Sequence, residues 1–506
     1  MNKRISRRFF LSAGGAGLVG LGLPVLAEAP RTSLRPVARK GVRAAGATVA
    51  TKAQATGSSV LVSKARLGGH VAFAVADTKS GLVLEARESD LGQPPASVTK
   101  AVTALYALDT LGASHRFVTR VITTGPVENG VLKGDLVLAG GGDPTLDTNA
   151  LADLAAKLKS AGVREVRGGF KVWGGALPRL HEIDRSQPDH VGYNPAISGI
   201  ALNYNRVHFE WKRGGKGWTT SMDARSNKYR PEVRVARMQV VNRSVPVYTY
   251  TEKSGVDHWT VASKALGKGG SRWLPVRQPE IYAGEVFRTF ARSQGIVLDQ
   301  PKVTNARPGG RALASHSSPE LRIILRDMLK YSNNLTAEMV GLAASVKRRG
   351  GVATLKNSAA EMSRWAAAGL GMSRARLVDH SGLGDASRLT AADMARALVK
   401  VHAAGGLKPI LKPIAMRNSK GRVDKGHPIK VFAKTGTLNF VSGLAGYMRA
   451  PDGTELAFAI FAADEATRAK IKRSDRERPD GARGWNKRAK QLQQKLIERW
   501  GTLYGT

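Results

Sequence analysis

The chain has no cysteine among its 506 residues. That excludes disulfides, a thiolate nucleophile and any Cys-ligated metal site. Stability must then come from packing, in an oxidising compartment or any other. Acidic residues are also scarce: 39 Asp and Glu stand against 79 Lys and Arg, a formal net charge of +40. Aromatic residues make up only 6% of the chain, and the basic residues are not interleaved with them. No nucleic-acid-binding motif is present, so nucleic acid is not an expected partner. A basic balance of this size points either to an anionic surface or to a solvated basic shell. Long apolar runs are missing too. The mildly apolar, Gly-rich stretch from Ala13 to Leu26 is short for a stable membrane span.

What stands at the N-terminus reads as an export signal. Ser6-Arg7-Arg8-Phe9-Phe10-Leu11 resembles a twin-arginine motif, and small residues at Ala27 and Ala29 suit cleavage. Residues 1–29 are therefore expected to be a signal peptide, an uncleaved anchor being the alternative. Residues 30–64, rich in Ala, Thr, Arg and Gly and without periodicity, are expected to be a basic linker or arm. The length allows two or three domains beyond it.

The stretch with most chemical content is Ala96-Ser97-Val98-Thr99-Lys100, which opens an apolar run at helical spacing up to Leu111. A Ser in the first turn and a Lys three residues on share one helix face. In a desolvated cleft the Lys pKa falls, and the free amine can take the hydroxyl proton. Alone the pair is weak, since Ser is a common N-cap and Lys a common exposed residue. Ser97 is, however, the only Ser in the chain with Lys three positions on. Two more short motifs join it: Ser332-Asn333-Asn334 before a helical run, and Lys434-Thr435-Gly436-Thr437 after the strand-like segment from Ile429 to Ala433.

In chain order, the segment from Val71 to Asp77 reads as a strand, Lys79-Ser80-Gly81 as a turn, and the segment from Leu82 to Ala86 as its hairpin partner. From His115 to about residue 310 short strands dominate, with helices near 151–161 and 282–294. Gly140-Gly141-Gly142-Asp143 lacks the residues of a nucleotide loop and reads as a tight structural turn. Helices are expected from Leu321 to Leu329, Leu335 to Lys347, Ala391 to Ala403 and Trp485 to Trp500, with a hairpin about Pro451-Asp452-Gly453. His380 has no carboxylate at a convincing spacing and reads as a loop residue near the site rather than a general base. The basic stretch from Lys470 to Arg483 reads as an exposed loop.

The three motifs, in this order, resemble the signature of penicillin-binding proteins and serine β-lactamases. The long separation of Ser97 from Ser332 narrows the resemblance to class C low-molecular-mass penicillin-binding proteins, the D-alanyl-D-alanine carboxypeptidase/endopeptidase family with a large insertion. The segments from Tyr193 to Val207 and Asp379 to Leu383 also look like the family. The resemblance implies an α+β fold: a serine β-lactamase/penicillin-binding (DD-peptidase-like) domain, its antiparallel sheet flanked by helices. That domain is expected to take residues 65–114 and 311–506, with a strand-rich inserted region of two small modules at 115–310. It further implies Ser97 as acylated nucleophile, Lys100 as its base and Ser332 as proton relay. Asn334 would bind the substrate amide, Lys434 supply positive potential, and Thr435 and Thr437 meet the terminal carboxylate beside Gly436. Backbone N–H groups of Ser97 and Thr437 would form the oxyanion hole.

The expected substrates are peptidoglycan peptides ending in D-Ala-D-Ala, with β-lactams as covalent inhibitors, no metal and no cofactor. Exposure to the periplasm or another exported compartment follows from the signal, and anionic envelope polymers or lipids from the charge. Asn333 stands where β-lactamases often carry Asp. Rival readings are a β-lactamase or esterase on the same scaffold, and a non-catalytic basic envelope-binding protein.

Overall fold

A computed structural model describes residues 55–215 and 217–505. The signal peptide expected at 1–29 and most of the arm lie outside the described residues. Within them, six strands form one antiparallel sheet in the order Lys412–Ile414, Lys430–Leu438, Val441–Arg449, Glu455–Ala463, His70–Asp77, Val83–Arg87. Its three central strands are buried along nearly their whole length, because both faces are covered.

Side-chain size differs between the two faces, following the two-residue period of the strands. Ala72, Ala74, Ala445, Ala457 and Ala459 point to one side and pack with helices Thr99–Leu111, Leu321–Tyr331, Asn334–Arg349, Leu355–Leu370 and Ala391–His402. Small residues there let the helices lie close. Val71, Phe73, Leu444, Met448, Phe458 and Ile460 point to the other side, under the long C-terminal helix Ala482–Tyr504. Trp485, Ala489, Leu492, Leu496 and Trp500 recur along that helix at three or four residues and form its buried stripe.

The remaining sheets are built from the segment between Val118 and Ser317. A mixed five-stranded sheet runs Lys302–Val303, Phe170–Trp173, Leu136–Ala139, Val118–Thr123, Arg311–Ser317. Three three-stranded sheets complete the region, together with helices Thr148–Ser160 and Pro279–Ser293. The turn at Gly140 and Gly141 is sterically fixed: a Cβ on Gly140 would sit 2.5 Å from Gly199 O, and one on Gly141 2.1 Å from Val118 O.

The structure differs from four expectations. Arg311–Ser317, placed by the sequence in the catalytic domain, pairs instead with Val118–Thr123 and so stays with the inserted region. Where two small modules were expected, the insertion buries one continuous cluster from Val121 to Ala314, because Tyr282, Val286 and Phe287 of one helix join its sheets. Ser58–Ala65, expected in the arm, is a helix that rests Leu61, Val62 and Ala65 against the C-terminal helix, whose Arg488 donates to Ala65 O and Arg66 O. The stretch from Lys470 to Arg483, read as an exposed loop, is tied to the insertion: Arg473 pairs with Asp189 at 2.6 Å, and Glu477 with His190 at 2.8 Å and Arg272 at 3.0 Å.

Trp500 is fully buried between the rings of Phe73 and Phe458 and donates Nε1 to Glu85 Oε2 at 2.9 Å. Trp500→Ala should lower the unfolding free energy by about 3–5 kcal/mol in urea denaturation. Trp500→Phe, which keeps most of the apolar surface, should lose less.

Candidate active site

Three chain segments meet at one nitrogen. Lys100 lies in the first turn of Thr99–Leu111 and is completely buried. Its Nζ lies 2.9 Å from Ser97 Oγ, 2.7 Å from Asn334 Oδ1 and 2.7 Å from the Ser381 carbonyl oxygen. Two of these partners can only accept hydrogen bonds. A neutral amine has two hydrogens and one lone pair, so the hydrogens go to Asn334 and Ser381 and the lone pair is left for the Ser97 hydroxyl. The Asn334 amide is held in the orientation this requires, because its Nδ2 donates to Tyr193 O at 3.0 Å. That carbonyl comes from the inserted region.

Burial pushes the Lys100 pKa down to about 8, with Glu338 and Asp379 acting in the opposite sense. Both carboxylates are completely buried and both are raised, chiefly by burial. Glu338 lies four residues after Asn334 on the same helix and accepts from the backbone N–H of His380 and of Ser381, each at 2.9 Å. Asp379 accepts from Gly382 N at 2.7 Å and Gly384 N at 2.6 Å. Together they fix the loop that brings Ser381 O to Lys100.

Ser332 is a non-glycine residue at φ +58°, at the reversal between Leu321–Tyr331 and Asn334–Arg349. This left-handed conformation is uncommon and carries strain. It lets the Ser hydroxyl face Lys434, whose Nζ donates to Ser332 Oγ at 3.0 Å and to Thr435 O at 2.6 Å. Lys434 is 1% exposed, and burial first, then the Lys100 and Lys412 charges, hold its pKa well below the usual lysine range. The Lys-Thr-Gly motif lies inside strand Lys430–Leu438 rather than after it. On the outward side only the segment from Val431 to Ala433 is covered, by Lys412–Ile414. The segment from Lys434 to Thr437 therefore has an open edge.

Glycines let the backbone of this strand and of the loop press on the Ser97 turn. A Cβ on Gly436 would stand 2.6 Å from Pro95 O, and one on Gly382, at φ +74°, only 1.9 Å from Ala96 O. Ser97, Ser332, Asn334, Thr435 and Thr437 line a common cleft of about 1780 Å³. The structure thus brings every sequence-predicted site residue together. Sequence reasoning missed Glu338, the Ser381 and Tyr193 carbonyls and the role of Gly382. Only Glu338 left a signal, its four-residue spacing from Asn334.

His380 is buried away from the cleft, with Nε2 2.7 Å from Ser358 Oγ and Nδ1 3.3 Å from Met362 Sδ. Burial pushes its pKa down to about 3. It packs against Gly341, where a Cβ would come within 2.2 Å of the ring. Its carbonyl, not its imidazole, faces the nucleophile helix, accepting from Thr103 Oγ1 at 2.6 Å. Among the described residues no group of three or more His, Asp or Glu gathers as a metal site would.

Gly382→Ala should unfold the protein about 2–4 kcal/mol more easily, since the added methyl meets backbone and the φ is unsuited to it. Gly426→Ala, whose Cβ would find its nearest atom at 3.5 Å, is the matched control and should leave thermal denaturation nearly unchanged.

Comparison with known proteins agrees with this geometry. The model of the D-Ala-D-Ala carboxypeptidase 3 (S13) family matches residues 55–478. The chain is 28% identical over 437 residues to the D-alanyl-D-alanine carboxypeptidase of Actinomadura sp. (strain R39), covering 79% of each chain. It is 23% identical over 426 residues to the D-alanyl-D-alanine carboxypeptidase DacB of Haemophilus influenzae, covering 80% of this chain and 87% of the other. The crystal structure of penicillin binding protein 4 (dacB) from Haemophilus influenzae superposes with a TM-score of 0.68 at 20% identity, covering 80% of this chain and 93% of that one, and shares the fold. The chain belongs to the D-Ala-D-Ala carboxypeptidase 3 (S13) family of class C penicillin-binding proteins and is a serine peptidase with the DD-peptidase fold.

Proposed function

We propose that this enzyme is an exported serine D,D-peptidase that cleaves D-alanyl-D-alanine bonds of peptidoglycan peptides through an acyl-enzyme on Ser97. The observation that carries the reading is the buried Lys100 amine 2.9 Å from Ser97 Oγ, its pKa brought near physiological pH by burial. Free Lys100 takes the Ser97 proton as Oγ attacks the carbonyl carbon of the penultimate D-Ala. The backbone N–H groups of Ser97 and Thr437 hold the oxyanion. As the C–N bond breaks, Ser332 passes a proton to the leaving amine. Water then hydrolyses the ester and restores Ser97. The same chemistry removes a terminal D-Ala or opens a cross-link, the two differing only in the leaving amine.

Asn334 presents its remaining amide hydrogen to the substrate, and Thr435 and Thr437 receive the terminal carboxylate along the open strand edge, with Gly436 giving the close approach. Lys434 begins with a lowered pKa and no carboxylate partner. An arriving substrate carboxylate supplies one and favours the protonated amine, so binding reinforces the positive potential. β-Lactams mimic the scissile peptide and acylate Ser97. Glu338 and Asp379 are engaged by backbone N–H groups, and neither is free to activate water against the ester. That favours a long-lived penicilloyl enzyme over β-lactamase turnover. The twin-arginine-type signal at 1–29 supports delivery to the periplasm or an equivalent compartment.

Intact-protein mass after incubation with benzylpenicillin should show one stable adduct on the wild type and none on Ser97→Ala. A folded wild type with neither adduct nor penicillin hydrolysis would return the chain to a non-catalytic wall-binding role. The acylation rate should follow the free-amine fraction of Lys100. Protonation blocks the base, so the rate rises with pH through about 8 and levels above it. Between pH 6 and pH 8 the increase should be about fiftyfold. No second limb should appear near pH 6.5, because His380 stays neutral there. In Lys100→Arg the rise should vanish and the rate fall by about a thousandfold, with circular dichroism unchanged.

A further inference from the structure

The catalytic cleft does not end at Ser97. The same continuous groove runs past the end of strand Lys430–Leu438 to the exposed side of the C-terminal helix. Its far part is lined by Lys420, Arg478, Arg483, Lys487, Lys490 and Lys495, all exposed. None of these six side chains has an acidic partner or a hydrogen bond among the described residues. Of the three acids on the lining, Glu477 is held by His190 and Arg272, and Glu498 accepts from Gln494 at 2.6 Å. Gln494 is neutral and leaves the Glu498 charge in place, so Asp480 and Glu498 are set against six free cations. Arg483, Lys487 and Lys490 follow at four and three residues on one helix, a spacing at which like charges repel and destabilise it. A groove of about 1780 Å³ also exceeds the 300–1,000 Å³ usual for small ligands.

We propose that this groove is an extended subsite for the acidic polymer that carries the scissile bond. It holds free carboxylates of a peptidoglycan strand while one of its stem peptides is at Ser97. The inference rests on the proposed reaction, and continuity with the nucleophile is what selects this occupant: a ligand filling both ends must be covalently continuous with the scissile peptide. The basic arm has the wrong charge to fill the groove, since residues 30–54 include Arg31, Arg35, Arg39, Lys40, Arg43 and Lys52 and no acid. Cations arranged in this way chiefly raise the association rate and make it salt-dependent.

The test compares wild type with the triple variant Lys487→Gln, Lys490→Gln and Lys495→Gln. Benzylpenicillin acylation is measured first and should agree within about twofold, as should turnover of a diacyl tripeptide ending in D-Ala-D-Ala. Penicillin acylation of the wild type secures the catalytic reading independently, so its absence would sink that reading and not the groove alone. On purified peptidoglycan fragments at low salt, kcat/KM of the variant should fall by about tenfold and lose most of its salt dependence. Fragments whose carboxylates have been amidated should erase the difference between the two proteins. An unchanged salt dependence in the variant would overturn the proposal. So would an equal loss on benzylpenicillin, which would place the cations in service of Ser97 itself. Salt-sensitive binding to anionic lipid vesicles that disappears in the variant, with peptidoglycan turnover unaffected, would assign the groove to a membrane surface instead.

Discussion

Burial of the Lys100 amine is the constraint on which the site depends. A polar nitrogen removed from water must be hydrogen-bonded inside the protein or the fold loses stability. Its three hydrogen-bond partners come from the Ser97 turn, the helix beginning at Asn334 and the loop at Ser381, segments far apart in the chain. Satisfying one nitrogen therefore fixes the relative positions of the three. Each partner is itself secured: Asn334 by Tyr193 O, the Ser381 loop by Glu338 and Asp379, the Ser97 turn by the glycines pressed against it. A side chain placed to be a base is also the fastener of the cleft.

The architecture supplies what that fastening needs. The Ala-rich face of the sheet lets the nucleophile helix lie close to the strands, and the large-residue face is sealed by the C-terminal helix. Strand Lys430–Leu438 thereby keeps one edge open beside Ser97 while its other edge is anchored along the whole of Val441–Arg449. The inserted region touches the chemistry in two places. Tyr193 O sets the amide of Asn334, and His190, Asp189 and Arg272 hold the segment from Arg473 to Glu477 along the groove. An insertion so far outside the six-stranded sheet is thus tied to the orientation of the Asn334 amide beside Lys100.

Much of this was legible in the sequence because local rules and global fold agree. The Ser-x-x-Lys pair works through helix geometry alone, and the hairpins announce themselves by alternation and Gly-containing turns. What escaped was set by tertiary contact. Helix Leu355–Leu370, capped by Thr354, was not anticipated, since its buried stripe is mostly Ala and Ser with few large residues. Arg311–Ser317 could not be assigned to its sheet, because its partner is Val118–Thr123, nearly two hundred positions away. The left-handed Ser332 looks like any Ser in its motif. The stretch from Lys470 to Arg483 has loop composition, and its anchorage becomes visible only when the acids and bases of the insertion are beside it.

Charge explains how the site can hold a free amine at all. Lys100 and Lys434 are buried with Glu338 and Asp379, two potential cations with two potential anions. Glu338 and Asp379 raise the Lys100 pKa, but burial outweighs them and brings it to about 8. Burial raises both carboxyl pKa values while it lowers both amine values, so the charged form of each of the four is disfavoured in the interior. Proton loss from Lys100 removes one of the charges that burial disfavours. In the proposed reaction, a substrate carboxylate entering beside Lys434 favours its protonated form. On the proposed reaction, binding separates two buried lysines into a cation that holds substrate and an amine that removes a proton.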